Sequence, residues 1–344
     1  MTQKPTRVVI CEDSRTYSAA LRRTLEHGGD IDVVGSFTSA EAALAALPTL
    51  APDLVTMDLE LPGMSGLEAV EQIMSALPIP ILVLSSRVGP TTPNAAAALA
   101  AGALDALAKD DLDLLEPAGL AAAALRRRVK LLSRARVIRH PRARLNARRP
   151  RDADTRTIET VGICASTGGP PALATLLAGL PRTYQIPVLV VQHISSGFTE
   201  GLAKWLDGAV PLPVALAADG QRLGPGIWIA PEGAHLVVRG RRLALDRTTR
   251  AGHHRPSGDV LLLSVAKAFG SRAAAVVLTG MGKDGAAGAG AVREAGGLVI
   301  AQDEATSAVY GMPRAVVEGG VDAVLPLEEI APRLRALSPA SAKG

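Results

Sequence analysis

Short apolar runs recur along this chain, separated by helix-like stretches, and most of them end on a residue able to do chemistry. In the first third the runs are 8–11, 33–36, 54–57, 81–84 and 104–107, with helical patterns at 15–26 and 39–47 and between and after the later runs. Parallel neighbours cannot be joined by a hairpin; they need a crossover, which is usually a helix. Five short strands alternating with helices therefore predict a doubly wound parallel sheet. The pattern resumes with runs at 161–165, 187–192, 226–230, 275–279 and 298–301 and helical stretches at 173–180, 201–207, 259–269 and 285–295. Alternating runs at 235–238 and 242–245 predict a hairpin beside this second, largely parallel sheet. Sheets of this kind bind their ligands beyond the carboxyl ends of the strands.

Length and composition bound the answer. With 344 residues, two domains are expected. An apolar content of 48% with 20% charged residues suits a chain that buries aliphatic cores. Aromatics are only 2%, which argues against single-strand nucleic-acid recognition by base stacking. No apolar run reaches the roughly 18–20 residues of a membrane helix, and the N-terminus leads straight into a strand without a signal-peptide pattern. Cys11 and Cys164 fall in strands of different domains, which points to a reduced, cytoplasmic setting.

The net charge of +4 conceals an asymmetry. Between Arg126 and Arg151 lie eleven Arg and one Lys with no acid; subtracting those twelve charges leaves −8 for the rest. Low periodicity, prolines and like charges predict a flexible basic linker at 126–156, between domains at 1–125 and 157–338. A basic arm for nucleic acid or an acidic protein is the alternative, but no helix-turn-helix or zinc-finger pattern accompanies it.

In the first domain the strand ends carry Glu12 and Asp13, Asp58, Ser85 and Lys109. Each alone reads as a solvated loop residue or a cap. Together they make an acidic pocket with one hydroxyl and one ammonium. Clustered carboxylates call for a hard cation, and Mg²⁺ keeps open positions for phosphate. Asp58 then becomes a carboxylate nucleophile toward a phosphoryl group, with Ser85 and Lys109 holding its oxygens. With Glu12 to Ser14, Met57 to Gly66, Ser85, Ser86 and Lys109, the domain resembles the flavodoxin-like receiver of two-component response regulators. The resemblance implies Asp58 as phosphoacceptor, a histidine kinase as phosphodonor, and Glu12, Asp13 and Asp58 as Mg²⁺ ligands. Two positions depart from it: Asp110 follows Lys109 where the family usually has Pro, and Ala106 stands where many receivers carry a switch Phe or Tyr.

In the second domain Ser166 follows the run 161–165, in a small-residue turn before Pro170 and Pro171. It reads either as a helix N-cap or as a nucleophile on a strand–helix elbow. Cys164 occupies the first glycine position of the G-x-S-x-G elbow pattern. His193 follows 188–192, and Asp284 lies in a glycine-rich turn after 275–279. A histidine after a strand is often structural, and an aspartate in such a turn often serves its geometry. On adjacent parallel strands, however, the three meet along one edge. Ser, His and Asp are the set that activates a hydroxyl, with backbone N–H groups around Thr167 and Met281 as oxyanion donors. Neither glycine-rich turn fits a nucleotide-binding fingerprint. His235, His253 and His254 lack metal-ligand spacing and read as surface or supporting residues.

The second domain resembles the catalytic domain of the chemotaxis protein-glutamate methylesterases. The matching motifs run from Ala165 to Gly169 and include Gln192 and His193, Arg255 to Ser257, Leu278 to Gly282, Asp284 to Gly288 and Gly311 to Arg314. A receiver, a linker and this domain are that family's full layout. The resemblance implies Ser166 as nucleophile, His193 as general base, Asp284 as its orienting carboxylate, and no cofactor for the esterase step. It further implies demethylation of glutamyl methyl esters, with deamidation of glutamines, on methyl-accepting chemoreceptors under phosphorylation control. No specific nucleic acid and no membrane insertion are expected. The same chemistry on a non-chemotaxis receptor system, or a non-catalytic response regulator acting by binding, remain as alternatives.

Overall fold

The computed structural model describes residues 4–86, 94–135, 157–249 and 254–337. The chain divides into two compact units, each built around a parallel sheet. The first runs β1 (Thr6–Cys11), α1 (Arg15–Glu26), β2 (Ile31–Phe37), α2 (Ala40–Leu50), β3 (Leu54–Asp58), α3 (Gly66–Ala76), β4 (Ile81–Ser85), α4 (Asn94–Ala100), β5 (Asp105–Ala108) and α5 (Leu120–Leu132). Its five strands lie in the order β2-β1-β3-β4-β5. The order reverses between β1 and β3, so the ends of those strands open onto the crevice. β3 and β4 are buried along their whole length, as parallel strands covered on both faces must be. Ser14, Ser39 and Ser65 cap α1, α2 and α3 by accepting a backbone N–H.

The basic stretch does not begin as a linker. Residues 126–132 complete α5, where cations suit a helix C-terminus. There Arg126 donates to the carbonyls of Thr24 and Pro117, while Arg128 pairs with Asp105 and Lys130 with Asp30. The rest of the expected linker, 136–156, lies outside the described residues.

The second sheet is larger than expected. The elements are β6 (Thr160–Ala165), α6 (Gly169–Ala178), β7 (Val188–Gln192), α7 (Thr199–Ala209), β8 (Val214–Leu216), β9 (Ile227–Ile229), β10 (His235–Arg239), β11 (Arg242–Asp246), α8 (Gly258–Phe269), β12 (Ala273–Val277), α9 (Ala286–Glu294), β13 (Leu298–Gln302), α10 (Met312–Gly319), β14 (Ala323–Leu325) and α11 (Leu327–Ala336). Seven parallel strands follow the order β14-β13-β12-β6-β7-β9-β8, and β10 and β11 form a separate antiparallel hairpin. From β6 the chain winds first toward β7 and later, through β12, to the other side. The topological switch point therefore lies at β6, where such folds place their sites.

Alternation along β6 divides the core. Val161, Ile163 and Ala165 face one apolar cluster with Leu173, Leu176, Leu202 and Ile330. Cys164 faces the other, with Val191, Leu261, Leu262, Val277 and Phe269. Each such aliphatic side chain, fully buried, contributes about 1.5–3 kcal/mol.

Candidate active site

In the first unit, Asp58 ends β3 and Glu12 follows β1, both almost fully buried. Lys109, immediately after β5, places Nζ 2.7 Å from Glu12 Oε2 and 2.7 Å from Asp58 Oδ2. The Tyr17 ring lies 4.8 Å from the same ammonium. Burial pushes the Glu12 carboxyl up, against the lowering effect of Lys109. Burial would lower the Lys109 ammonium, but Asp58 and Glu12 outweigh it and raise it. Ligand oxygens of Glu12, Asp13 and Asp58 lie within 4.8 Å of one another, a cluster of hard donors able to hold a metal ion. The donor set fits such an ion because one ammonium leaves the three carboxylates with net negative charge. Ser85 is buried at the end of β4, but its hydroxyl donates to the Ser86 carbonyl at 3.3 Å rather than to Asp58.

In the second unit the register of β6 and β7 pairs Ala165 with Gln192, which sets Ser166 and His193 on the next rung. The backbone N–H of His193 donates to Ala165 O at 2.9 Å, and that of Ser166 to Thr279 O at 3.0 Å. Three strand ends thus converge on Ser166. The approach is close enough that a Cβ on Gly280 would stand 2.8 Å from Ser166 Cβ. Ser166 does not cap α6. The cap is Gly168, in the left-handed region at φ 71°, and no side chain bonds the first turn. Pro170 and Pro171 occupy that turn, where a missing N–H costs nothing.

Asp284 is not serving its own turn. Its Oδ2 accepts from His193 Nε2 at 2.7 Å and from Gly258 N–H at 2.6 Å; its Oδ1 accepts from Ser257 Oγ at 2.8 Å and Asp259 N–H at 3.0 Å. Three of these donors form the N-terminus of α8, where a carboxylate is favoured by the helix dipole and the unpaired amides. Burial alone would raise this carboxyl. The bonds from His193, Asp259 and Gly258 outweigh it and hold Asp284 well below the usual carboxylate range. With Nε2 committed to Asp284, the other ring nitrogen of His193, Nδ1, is buried and has no hydrogen-bond partner.

Two placements sharpen the sequence reading. Of the two readings of His235, surface or supporting residue, the structure gives the second: it is 1% exposed. Its Nε2 bonds Thr249 O at 3.1 Å, and its Nδ1 accepts the N–H of Ser257 at 3.1 Å, so it fixes the residue that caps α8 and touches Asp284. Nothing in its local sequence signals this, because both partners come from another segment. Cys164 does not enter the serine turn. It faces the opposite side of β6, where a Cβ on Gly258 would lie 2.7 Å from its Sγ and one on Gly285 3.5 Å away. It fills the space beneath the loop that holds Asp284.

A receiver-type sheet with its acidic pocket, followed by a parallel sheet that gathers serine, histidine and aspartate at its switch point, defines a class: a response regulator carrying a serine-hydrolase-type domain. Comparison with known proteins makes the class specific. Residues 8–117 match the response regulator receiver domain, and residues 161–334 match the CheB methylesterase domain. The chain is 42% identical over 319 residues to protein-glutamate methylesterase/protein-glutamine glutaminase 3 of Myxococcus xanthus, covering 92% of this chain and 89% of the relative. It is 42% identical over 339 residues to protein-glutamate methylesterase/protein-glutamine glutaminase 2 of Anaeromyxobacter dehalogenans, covering 97% and 98%. The crystal structure of the Thermotoga maritima CheB methylesterase catalytic domain is similar to 52% of this chain over 97% of its own length, with a TM-score of 0.50 and 41% identity. The chain belongs to the CheB methylesterase family.

Proposed function

We propose that the protein is a phosphorylation-controlled serine esterase that demethylates glutamyl methyl esters, and deamidates glutamines, on methyl-accepting chemoreceptors. The observation that carries this reading is the unpartnered Nδ1 of His193, on the rung it shares with Ser166, on a ring whose other nitrogen is bound to Asp284.

Asp284 stays ionised and keeps the ring proton on Nε2, which leaves a lone pair on Nδ1. Ser166 Oγ attacks the ester carbonyl as His193 Nδ1 takes the serine proton. General-base assistance of this kind is worth about 10²–10⁴ in rate. The N–H groups of Ser166 and Gly280 are taken by the carbonyls of Thr279 and Val309. We assign the oxyanion role to the backbone amides of Thr167 and Met281, next along each segment, each such donor worth about 10²–10³ in kcat. His193 returns its proton to the leaving methoxide and methanol departs. Water, activated by the same imidazole, then releases free glutamate and Ser166. A glutamine side chain follows the same route with ammonia leaving. No step of this cycle calls for a cofactor.

In the receiver, Asp58 accepts a phosphoryl group from a histidine kinase. Glu12, Asp13 and Asp58, whose ligand oxygens lie within 4.8 Å of one another, would hold Mg²⁺, which would supply positive charge against the phosphoryl group. Lys109 and Ser85 hold the phosphoryl oxygens by charge and hydrogen bond. Among the described residues no helix is long and apolar enough to cross a membrane. The test is methanol release from methylated receptor fragments and ammonia release from their glutamine forms, each with and without a small phosphodonor. Release of both, raised by the phosphodonor, is expected; absence of both would reject the reading.

A further inference from the structure

The His193 side chain is only 8% exposed, although it stands at the open end of β7. The ring that covers it is His254. The two imidazoles are stacked, with centroids 4.1 Å apart and planes at 11°. His254 itself is exposed on its outer side. Its placement is fixed by the residues that follow it. Arg255, the next residue, donates to the carbonyls of Arg247 at 2.9 Å and Thr249 at 2.8 Å. The Thr249 carbonyl also bonds His235 Nε2, and His235 Nδ1 holds the N–H of Ser257. The segment from His254 to Asp259 is thus tied to the β10–β11 hairpin, and one short loop presents Ser257, Gly258 and Asp259 to Asp284 and His254 to His193.

We infer that His254 is a positioning residue for the general base, its ring forming a flat roof that holds the His193 imidazole in the plane that turns Nδ1 to Ser166. The inference rests on the triad reading of Ser166, His193 and Asp284. A single hydrogen bond to Asp284 fixes one end of the His193 ring but leaves it free to rock about that bond. A second flat surface at stacking distance removes that freedom, and small errors in the geometry of a reacting group are costly. The roof also acts selectively. When His193 takes the serine proton it becomes a cation lying on a π face, an attraction absent while the ring is neutral. An interaction strengthened in the transition state raises kcat rather than lowering KM.

The experiment measures kcat and KM for methanol release from methylated receptor fragments, with thermal unfolding, for wild type, His254→Ala, His254→Phe, His254→Gln and Ser166→Ala in the full chain. His254→Ala is expected to lower kcat about three- to tenfold with KM little changed. His254→Phe, which keeps a flat ring, restores kcat to within about twofold of wild type. If His254→Ala loses its folding transition, His254→Gln against His254→Phe makes the same comparison. Wild-type kcat in the ringless variants would overturn the inference. So would a loss carried entirely by KM, or a Phe variant as slow as the Ala variant at unchanged melting temperature. Ser166→Ala separates the two levels: if it retains turnover, the triad reading fails; if it is inactive while the ringless variants match wild type, only the role of His254 fails.

Discussion

Ser257 Oγ donates to Asp284 Oδ1 at 2.8 Å while Ser257 also caps the helix whose first amides complete the carboxylate's shell. The carboxylate proposed as the acid of the triad is therefore held by a helix terminus rather than by its own glycine-rich turn. Ser257→Ala removes the hydroxyl donor and the cap together. Loss of the cap costs about 1 kcal/mol of stability. Loss of a bond to a charged acceptor costs about 1.5–3 kcal/mol where the geometry depends on it. The expected result is a modest fall in melting temperature and a fall in kcat of about tenfold or more, read by thermal unfolding and methanol release.

The pH profile follows from the same shell. Asp284 is held well below the usual carboxylate range, its bonds to His193, Asp259 and Gly258 outweighing the effect of burial. It therefore stays ionised through neutral pH and well into acid. With the orienting carboxylate already ionised, only the proton on the general base is left to limit activity as pH falls. The acid limb of kcat/KM should show a single ionisation with unit slope. A slope of two would place a second essential proton on the dyad.

Cys164 replaces a glycine of the elbow pattern without entering the elbow. Its thiol is fully buried and pushed well above its ordinary value by burial, then by Asp284 and Asp259. Cys11 is likewise buried, with its thiol pushed up to about 12 by burial, then by Asp58 and Glu12. Neither should react with a maleimide at neutral pH in the folded protein, and both should react after denaturation. Cys164→Ala leaves a small void under the Asp284 loop and should cost about 1–2 kcal/mol of stability, with kcat reduced by no more than about threefold.

Asp58 closes β3, and its Oδ2 lies 2.7 Å from Lys109 Nζ. Asp58→Asn should abolish stimulation by a small phosphodonor while leaving basal methanol release intact. Equal stimulation of both proteins would contradict the receiver assignment. Lys109→Met removes the cation that offsets Glu12 and Asp58 and should also reduce stimulation.

The strand-end residues were legible because each lies at or shortly after the end of an apolar run, and parallel topology brings such ends together. Ser166, His193 and Asp284 fall just past β6, just past β7 and in the turn after β12 for that reason. β12 nevertheless occupies Ala273–Val277 rather than 275–279: Leu278 N–H makes the last bond of the ladder, to Cys164 O, and the N–H of Thr279 goes instead to the Gln302 side chain. β8 and β14 escaped notice because three-residue edge strands with partly exposed faces show no usable period. The particular partners of His235 and His254 are not legible for a different reason. Their roles depend on a loop folding back over the hairpin and onto β7, and the local sequence carries no trace of those partners.

The central claim is that Ser166 is the nucleophile. Wild type and Ser166→Ala, matched for folding by thermal unfolding, are to be compared for methanol release from methylated chemoreceptor fragments in the presence of a phosphodonor. The account predicts steady release by wild type and none above background for Ser166→Ala. Substantial turnover by the alanine variant would contradict it.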